Sequence, residues 1–378
     1  MTDSRHVICQ LVHTLNVGGA EVLAGNLARR LQDRYRFIFV CLDEFGAGAE
    51  RLREEGFPVE VVGRRDGIDW RCPLQLASIL RKHRVELIQA HQYTPFFYSL
   101  LARLRFRQPP IVFTEHGRHF PDFPRLKRKI ANRMLLQRRD RVVAVGRSVK
   151  QALKVNEGIP EASIEVILNG VDTTRFMPSA AMRDEVRNEL GVDSSDYLVM
   201  MVARLDPIKD HLTAIRSSAR AIAAVPGLKL FLVGDGPERQ RIESFIKENC
   251  LNAFVHLLGT RSDVARLLTG ADTLLLTSLS EGIPLTVIEA MATGIPVVST
   301  DVGSVADVIV HYKTGMLAPV RDDGKIASCL IRVGRDSALR VAMGDRGRAR
   351  AAAAFSETTM ANHYATLFDK SLNSSRWC

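Results

Sequence analysis

The sequence predicts an α/β protein made of two doubly wound parallel-sheet domains. Three observations carry this. The chain has 378 residues, long for one domain and comfortable for two of about 150–190 residues. Short apolar runs alternate with helical patterns along its whole length, as right-handed βαβ units require. A polar stretch, Asp172–Asp196, then separates two such sets.

In the first set, the strand candidates are His6–Val12, Phe37–Leu42, Val59–Val62, Glu86–Ala90, Ile111–Thr114, Arg141–Val145 and Ile164–Leu168. Apolar periodicity near 3.6 marks helices between them, among them Ala20–Arg34, Pro73–Arg84 and Arg125–Arg138. The second set gives strands at Tyr197–Ala203, Leu228–Val233, Phe254–Leu257, Thr273–Leu276 and Pro296–Ser299. Its helices are expected over Ile208–Ala223, Pro237–Asn249, Asp263–Thr269 and Pro284–Thr293. The expected organisation is therefore a first domain over 1–178, a connection over 179–196 and a second domain over 197–355. A terminal helical segment, 356–378, can pack back on the first domain.

Composition excludes several classes. Hydrophobic residues at 46% and charged residues at 25% rule out a disordered chain and a collagen-like repeat. The longest run without a charged residue, Leu87–Ala102, contains Gln89, His91, Gln92 and Pro95 and is too short and polar to span a bilayer. The amino terminus reads as a first strand, not as a signal peptide. No two of the six cysteines lie within four residues, so zinc-knuckle spacing is absent and a reducing, cytoplasmic setting is expected.

Charge is unevenly spread. The net charge of +10 falls entirely within residues 1–178, and residues 118–154 hold 12 basic side chains against Asp122 and Asp140. Such a stripe implies an anionic partner, and the expectation is the inner face of a cell membrane. Apolar insertion is expected to be modest, because Phe120, Phe123, Leu126, Ile130 and Met134 are few and some must face the core.

In open parallel sheets ligands bind beyond the carboxyl ends of strands, so residues that follow strands matter most. Ser278–Pro296, SLSEGIPLTVIEAMATGIP, follows one strand and opens a helix with Pro284 in the first turn. The amides of Gly282, Ile283 and Leu285 then lie at a helix N-terminus, a ready phosphate site. Glu289 on the following helix is placed to accept hydrogen bonds from a ribose. Arg204 and Lys209 sit in VARLDPIKDH, also after a strand. Two cations in a loop at the end of a strand suit an anionic group. Gly234 and Gly236 in FLVGDGPER could open a dinucleotide fingerprint, but Arg239 occupies the third glycine position, so a turn is the better reading.

The string E-x7-E from Glu281 to Glu289, followed by EAMATGIPVV, resembles the signature of retaining, nucleotide-sugar-dependent glycosyltransferases of the GT-B, group 1 or family 4, type. VARLDPIKDH, FLVGDGPER, NVGGAE at Asn16–Glu21, TEHG at Thr114–Gly117 and ILNGVDTTRF at Ile167–Phe176 are similar to further elements of the family. Pro284 stands where many members carry a second glycine.

The resemblance implies a GT-B fold and transfer of a sugar, with retention, from a nucleoside diphosphate to an acceptor hydroxyl. UDP- or GDP-sugars are the expected donors, and a glycan or polyprenyl-linked molecule is the expected acceptor. It implies that Glu289 holds the ribose, that Glu281 and His116 contact the transferred sugar, and that Arg204 and Lys209 hold the diphosphate. Gly19 lies on the donor side, and Gly18 and His91 on the acceptor side. No D-x-D pair is present to hold a divalent cation, so neither metal nor other cofactor is expected. A nucleotide-sugar epimerase of the same architecture, a non-catalytic sugar-nucleotide sensor and a nucleic-acid binder are the alternatives. The E-x7-E string and the absence of RNA-type aromatic motifs argue against them.

Overall fold

The computed structural model describes residues 4–16, 18–104, 109–117 and 122–374. Phe120 therefore lies outside the described residues. The chain divides into two compact units, one of residues 1–169 with 357–378 and one of residues 170–356.

The first unit is a seven-stranded, wholly parallel sheet. Its strands are β1 (Val7–Val12), β2 (Arg36–Cys41), β3 (Val59–Val61), β4 (Leu87–His91), β5 (Ile111–Glu115), β6 (Arg141–Ala144) and β7 (Ile164–Val166), in the order 3-2-1-4-5-6-7. The helices are α1 (Gly19–Leu31), α2 (Gly48–Glu54), α3 (Cys72–Lys82), α4 (Tyr93–Arg103), α5 (Leu126–Leu135) and α6 (Arg147–Glu157). β1 and β4 are buried along their whole length, as central strands covered on both faces must be. Residues of α1 and α2 pack on one face and residues of α3, α4 and α6 on the other.

The second unit begins with α7 (Ala180–Glu189) and has a six-stranded parallel sheet. Its elements run β8 (Tyr197–Val202), α8 (His211–Ile222), β9 (Leu228–Val233), α9 (Arg239–Glu248), β10 (Val255–Gly259), α10 (Val264–Gly270) and β11 (Thr273–Leu276). They continue through α11 (Leu285–Ala292), β12 (Val297–Thr300), α12 (Val305–Val308), β13 (Gly315–Ala318), α13 (Asp323–Arg335) and α14 (Ser337–Ala354). The strand order is 10-9-8-11-12-13. In both sheets the order reverses beside the first strand, between β1 and β4 and between β8 and β11. The loops after these strands are where a doubly wound fold places its ligands.

Two features differ from the sequence reading. Residues 179–196 are not a free connection. Arg187 on α7 is buried, donates to the Gly270 carbonyl at 3.2 Å and to Asp272 Oδ2 at 3.0 Å, and so ties this helix into the second unit. The stretch Ala351–Ser371 reads as one continuous helix from its alanine-rich sequence, yet it is broken at Phe355 and Ser356. There the Val171 amide donates to the Phe355 carbonyl at 2.9 Å and Phe355 is buried. The chain then re-enters the first unit as α15 (Glu357–Ser374). α15 is pinned on that unit by Phe368 packed edge-on to Tyr35, and by the Tyr35 hydroxyl donating to Asp369 at 2.5 Å.

Candidate functional site

In the second unit the loops after β8 and β11 are stitched together. The Leu279 amide donates to the Ile208 carbonyl at 2.8 Å, and the Thr277 hydroxyl donates to the carbonyls of Lys209 and Asp210 at 3.1 and 2.9 Å. A left-handed Asp210 (φ 47°) starts α8 and caps it through its side chain. This fixes Lys209 against Glu281, with Nζ 2.6 Å from Oε1. Buried Ser278 donates to the same carboxylate oxygen at 2.5 Å. Arg204 is on the same loop, 72% exposed and paired with Asp206 at 2.6 Å. The structure thus brings Lys209 and Glu281 into contact and leaves Arg204 turned to solvent.

Glycines allow this close backbone packing. Gly303, at φ 56°, lies against the Glu281 carbonyl, where any Cβ would overlap that oxygen. The Ser304 amide donates to the Gly282 carbonyl at 3.2 Å, so the loop after β12 supports the turn from below. Gly234 lies equally close to the Ala203 carbonyl and Gly236 to that of Leu205. These two glycines therefore brace the Arg204 loop and do not open a dinucleotide site.

Pro284 is the N-cap of α11, one residue earlier than the sequence suggests, and Leu285 is the first helical residue. Gly282 and Ile283 precede the helix. Glu289 lies one turn into α11, half-buried, with no hydrogen-bond partner for its carboxylate among the described residues. Burial pushes its pKa up to about 7, opposed by the attraction of Arg175. Such a half-buried carboxyl, one turn into a helix and without a hydrogen-bond partner, can receive donors from a ligand.

In the first unit, Gly18 caps α1 in an extended conformation and Gly19 is its first residue. A Cβ at Gly18 would strike the Glu21 carboxylate. His91 ends β4 and His116 follows β5. Their rings stack with centroids 5.1 Å apart, and His91 Nδ1 is 2.8 Å from His116 Nε2. His91 Nε2 lies 2.6 Å from Gln10 Oε1, and Gln10 Nε2 donates to Gln89 Oε1 at 3.0 Å. Because the Gln10 amide nitrogen is engaged, its oxygen accepts from His91 Nε2–H. Neutral His91 then accepts from His116 Nε2–H, and the lone pair on His116 is left at Nδ1. Burial holds both rings neutral, His91 well below the usual range and His116 down at about 4. Gln10 and Gln89 were not singled out from the sequence. Their signal was a polar residue inside each of the apolar runs that became β1 and β4.

Asn169 is buried at the end of the first unit, and Asp172 caps the turn after it through Thr174 at 3.0 Å. No grouping of three His, Cys, Asp or Glu side chains suited to a metal ion occurs among the described residues. No helix among the described residues is long and apolar enough to cross a membrane.

Two doubly wound units, each with candidate ligand loops at its switch point, are the GT-B fold. Residues 17–175 match the model of the glycosyltransferase family 4 domain, and residues 182–350 that of the group 1 glycosyl transferases. The chain belongs to this glycosyltransferase family. It is 26% identical over 367 residues to the N-acetyl-alpha-D-glucosaminyl L-malate synthase of Bacillus anthracis, covering 93% of this chain and 94% of that one. It is 25% identical to the UDP-Gal:alpha-D-GlcNAc-diphosphoundecaprenol alpha-1,3-galactosyltransferase of Escherichia coli over 72% of each chain. Among solved structures, the fold matches Anabaena HepE in complex with UDP at a TM-score of 0.85, with 22% identity over 96% of this chain and 99% of that one. A glycosyltransferase of Rickettsia africae matches at 0.88, with 21% identity over 98% and 99%.

Proposed function

We propose that this glycosyltransferase moves a sugar from a nucleoside diphosphate to a hydroxyl of a glycan or lipid-linked acceptor, retaining the anomeric configuration and using no metal. The observation that carries the reading is the convergence of Lys209 and Glu281 beside the start of α11, with unpartnered Glu289 one turn further on. In this reading the ribose hydroxyls donate to Glu289. The diphosphate lies at the α11 N-terminus, where amide dipoles favour negative charge. Lys209 exchanges part of its interaction with Glu281 for the phosphate, and exposed Arg204 closes on the same group. As the bond to the sugar breaks, the extra negative charge on the leaving phosphate is met by these two cations. In the second unit Glu281 accepts hydrogen bonds from hydroxyls of the transferred sugar; in the first unit His116 offers its Nδ1 lone pair to a sugar hydroxyl. The acceptor proton passes to the leaving phosphate oxygen. Gly18 and His91 shape the acceptor side in the first unit.

A uridine donor is supported by the HepE complexes, which hold UDP and UDP-glucose. A lipid-linked acceptor is supported by the Escherichia coli relative, whose name specifies a diphosphoundecaprenol substrate. The test is release of free nucleoside diphosphate from UDP-, GDP- and ADP-sugars, with and without lipid-linked acceptors and with EDTA. Release that depends on acceptor and survives EDTA is expected. Interconversion of the donor sugar without an acceptor would make the chain an epimerase, and rescue of chelated enzyme only by Mg²⁺ or Mn²⁺ would refute the metal-free reading.

A further inference from the structure

The polarity of α5 is inverted. Its residues Leu126, Ile130 and Met134 are 71%, 53% and 77% exposed, and Phe123, just before it, is 65% exposed. None of these four faces the core, contrary to expectation, while Phe120 lies outside the described residues. At about 100° per residue the three on the helix, Leu126, Ile130 and Met134, fall within an arc of roughly 80°. The side of α5 facing the protein is largely polar, with Leu135 at its end packed on the core. Asn132 is buried and donates to the Glu157 carbonyl at 2.9 Å, and Arg128 pairs with Glu157 at 2.9 Å while its guanidinium lies 4.0 Å from the Tyr93 ring centroid. The helix is anchored by these polar contacts and by Leu135, which packs on the core at its last turn, and keeps Leu126, Ile130 and Met134 outside.

The charges sort in the same way. Lys150 and Lys154 pair with Glu161, Arg128 with Glu157, and Arg141 donates to backbone carbonyls. Exposed Arg125, Lys127, Arg133 and Arg138 have no side-chain partner among the described residues. On the helix wheel Lys127 and Arg133 flank the apolar arc on its two sides. The same helical layer carries a second exposed apolar pair, Ile68 and Trp70, beside Arg65 and Arg71 on the loop before α3. That loop is tied to α4 by the Asp69 amide donating to the Tyr98 hydroxyl at 2.9 Å.

We propose that α5 docks on an anionic lipid bilayer, burying the stripe of Phe123, Leu126, Ile130 and Met134 at the headgroup boundary while Lys127 and Arg133 engage lipid phosphates. An apolar arc bordered on both sides by unpartnered cations is the pattern of a helix lying in a membrane interface. The partner is fixed by charge complementarity, since the entire excess of +10 resides in residues 1–178. The biological purpose rests on the reading of a lipid-linked acceptor. The test contains neither donor nor acceptor, so docking and transfer can fail separately.

Flotation of the whole chain is measured with vesicles of phosphatidylcholine alone and with phosphatidylglycerol added, at low and high salt. Binding only to the anionic vesicles, weakening with salt, is expected. Lys127→Glu and Arg133→Glu should each weaken it at least about fivefold. The triple change Leu126→Gln, Ile130→Gln, Met134→Gln should weaken it more than about tenfold at either salt. All five positions are exposed, so the melting temperature is expected to hold. Absence of binding to both vesicle types at low salt overturns the proposal. So does binding that the triple change leaves intact, which would reduce it to charge attraction without insertion. A dimer in solution that Ile130→Asp disperses, without vesicle binding, would give the stripe to a second copy of the chain instead.

Discussion

Glu289 offers the sharpest perturbation, because its carboxyl titrates in a usable range. Burial raises its pKa from 4.5 to about 7 in the ligand-free protein. At 1.36 kcal/mol per unit, keeping it ionised there costs about 3 kcal/mol. Ribose hydroxyls donate to the ionised form, so binding the donor should pull the pKa back down and release a proton near pH 7. The affinity of a nucleotide sugar should then level off above about pH 8 and fall by about tenfold between pH 8 and pH 6. A nucleotide sugar is the right ligand, since both its phosphates are esterified and do not titrate here. Calorimetry in buffers of different ionisation enthalpy reads both the affinity and the proton. In Glu289→Gln the pH dependence should vanish, and affinity at pH 8 should drop by about 1.5–3 kcal/mol, the scale of a charge-assisted hydrogen bond. The ligand-free chain gives the opposite sign. Between pH 4.5 and 7 the folded state binds more protons at Glu289 than the unfolded state, so stability is lost as pH rises through this window. Glu289→Gln should therefore melt higher than the parent at pH 8 and close to it at pH 4.5. A donor affinity that is constant from pH 6 to 8, or equally sloped in the variant, would refute the placing of Glu289 on the ribose.

Further outcomes are expected. Arg204→Ala and Lys209→Ala should each lower kcat by about 10²–10³, the scale of losing one preorganised partner of transition-state charge, as steady-state kinetics would read. Gly303→Ala should lower the melting temperature and also abolish activity, because its methyl would displace the Glu281 carbonyl that φ 56° brings against it. Gln10→Leu removes the acceptor that orients His91. Nitrogen chemical shifts of the His116 ring should then report a mixture of tautomers in place of a protonated Nε2, with kcat reduced more than KM is raised.

Much of the fold was legible because its signals are local. Continuous apolar runs such as VICQLV and TLLL became buried parallel strands, and the glycine turns fell at their ends. What escaped depends on tertiary partners. The break at Phe355 lies in good helix sequence, and only its pairing with Val171 stops the helix. Residues 179–196 look like a polar linker, yet Arg187 finds Asp272. The candidate donor residues were readable as strings, but the contact between Lys209 and Glu281 joins positions 72 residues apart. The exposure of Leu126, Ile130 and Met134 was invisible to periodicity, which finds an apolar arc without saying whether it faces inward or outward.

The most direct test of sugar transfer with retention is the anomeric proton coupling of the glycosylated product, followed by NMR from the first minutes of reaction with a UDP-sugar and a lipid-linked acceptor. For an α-linked hexosyl donor of the gluco or galacto series, an α-linked product with a small anomeric coupling is expected, formed at the rate at which UDP is released. A β-linked product with a large coupling, or UDP release that leaves only free sugar, would contradict it.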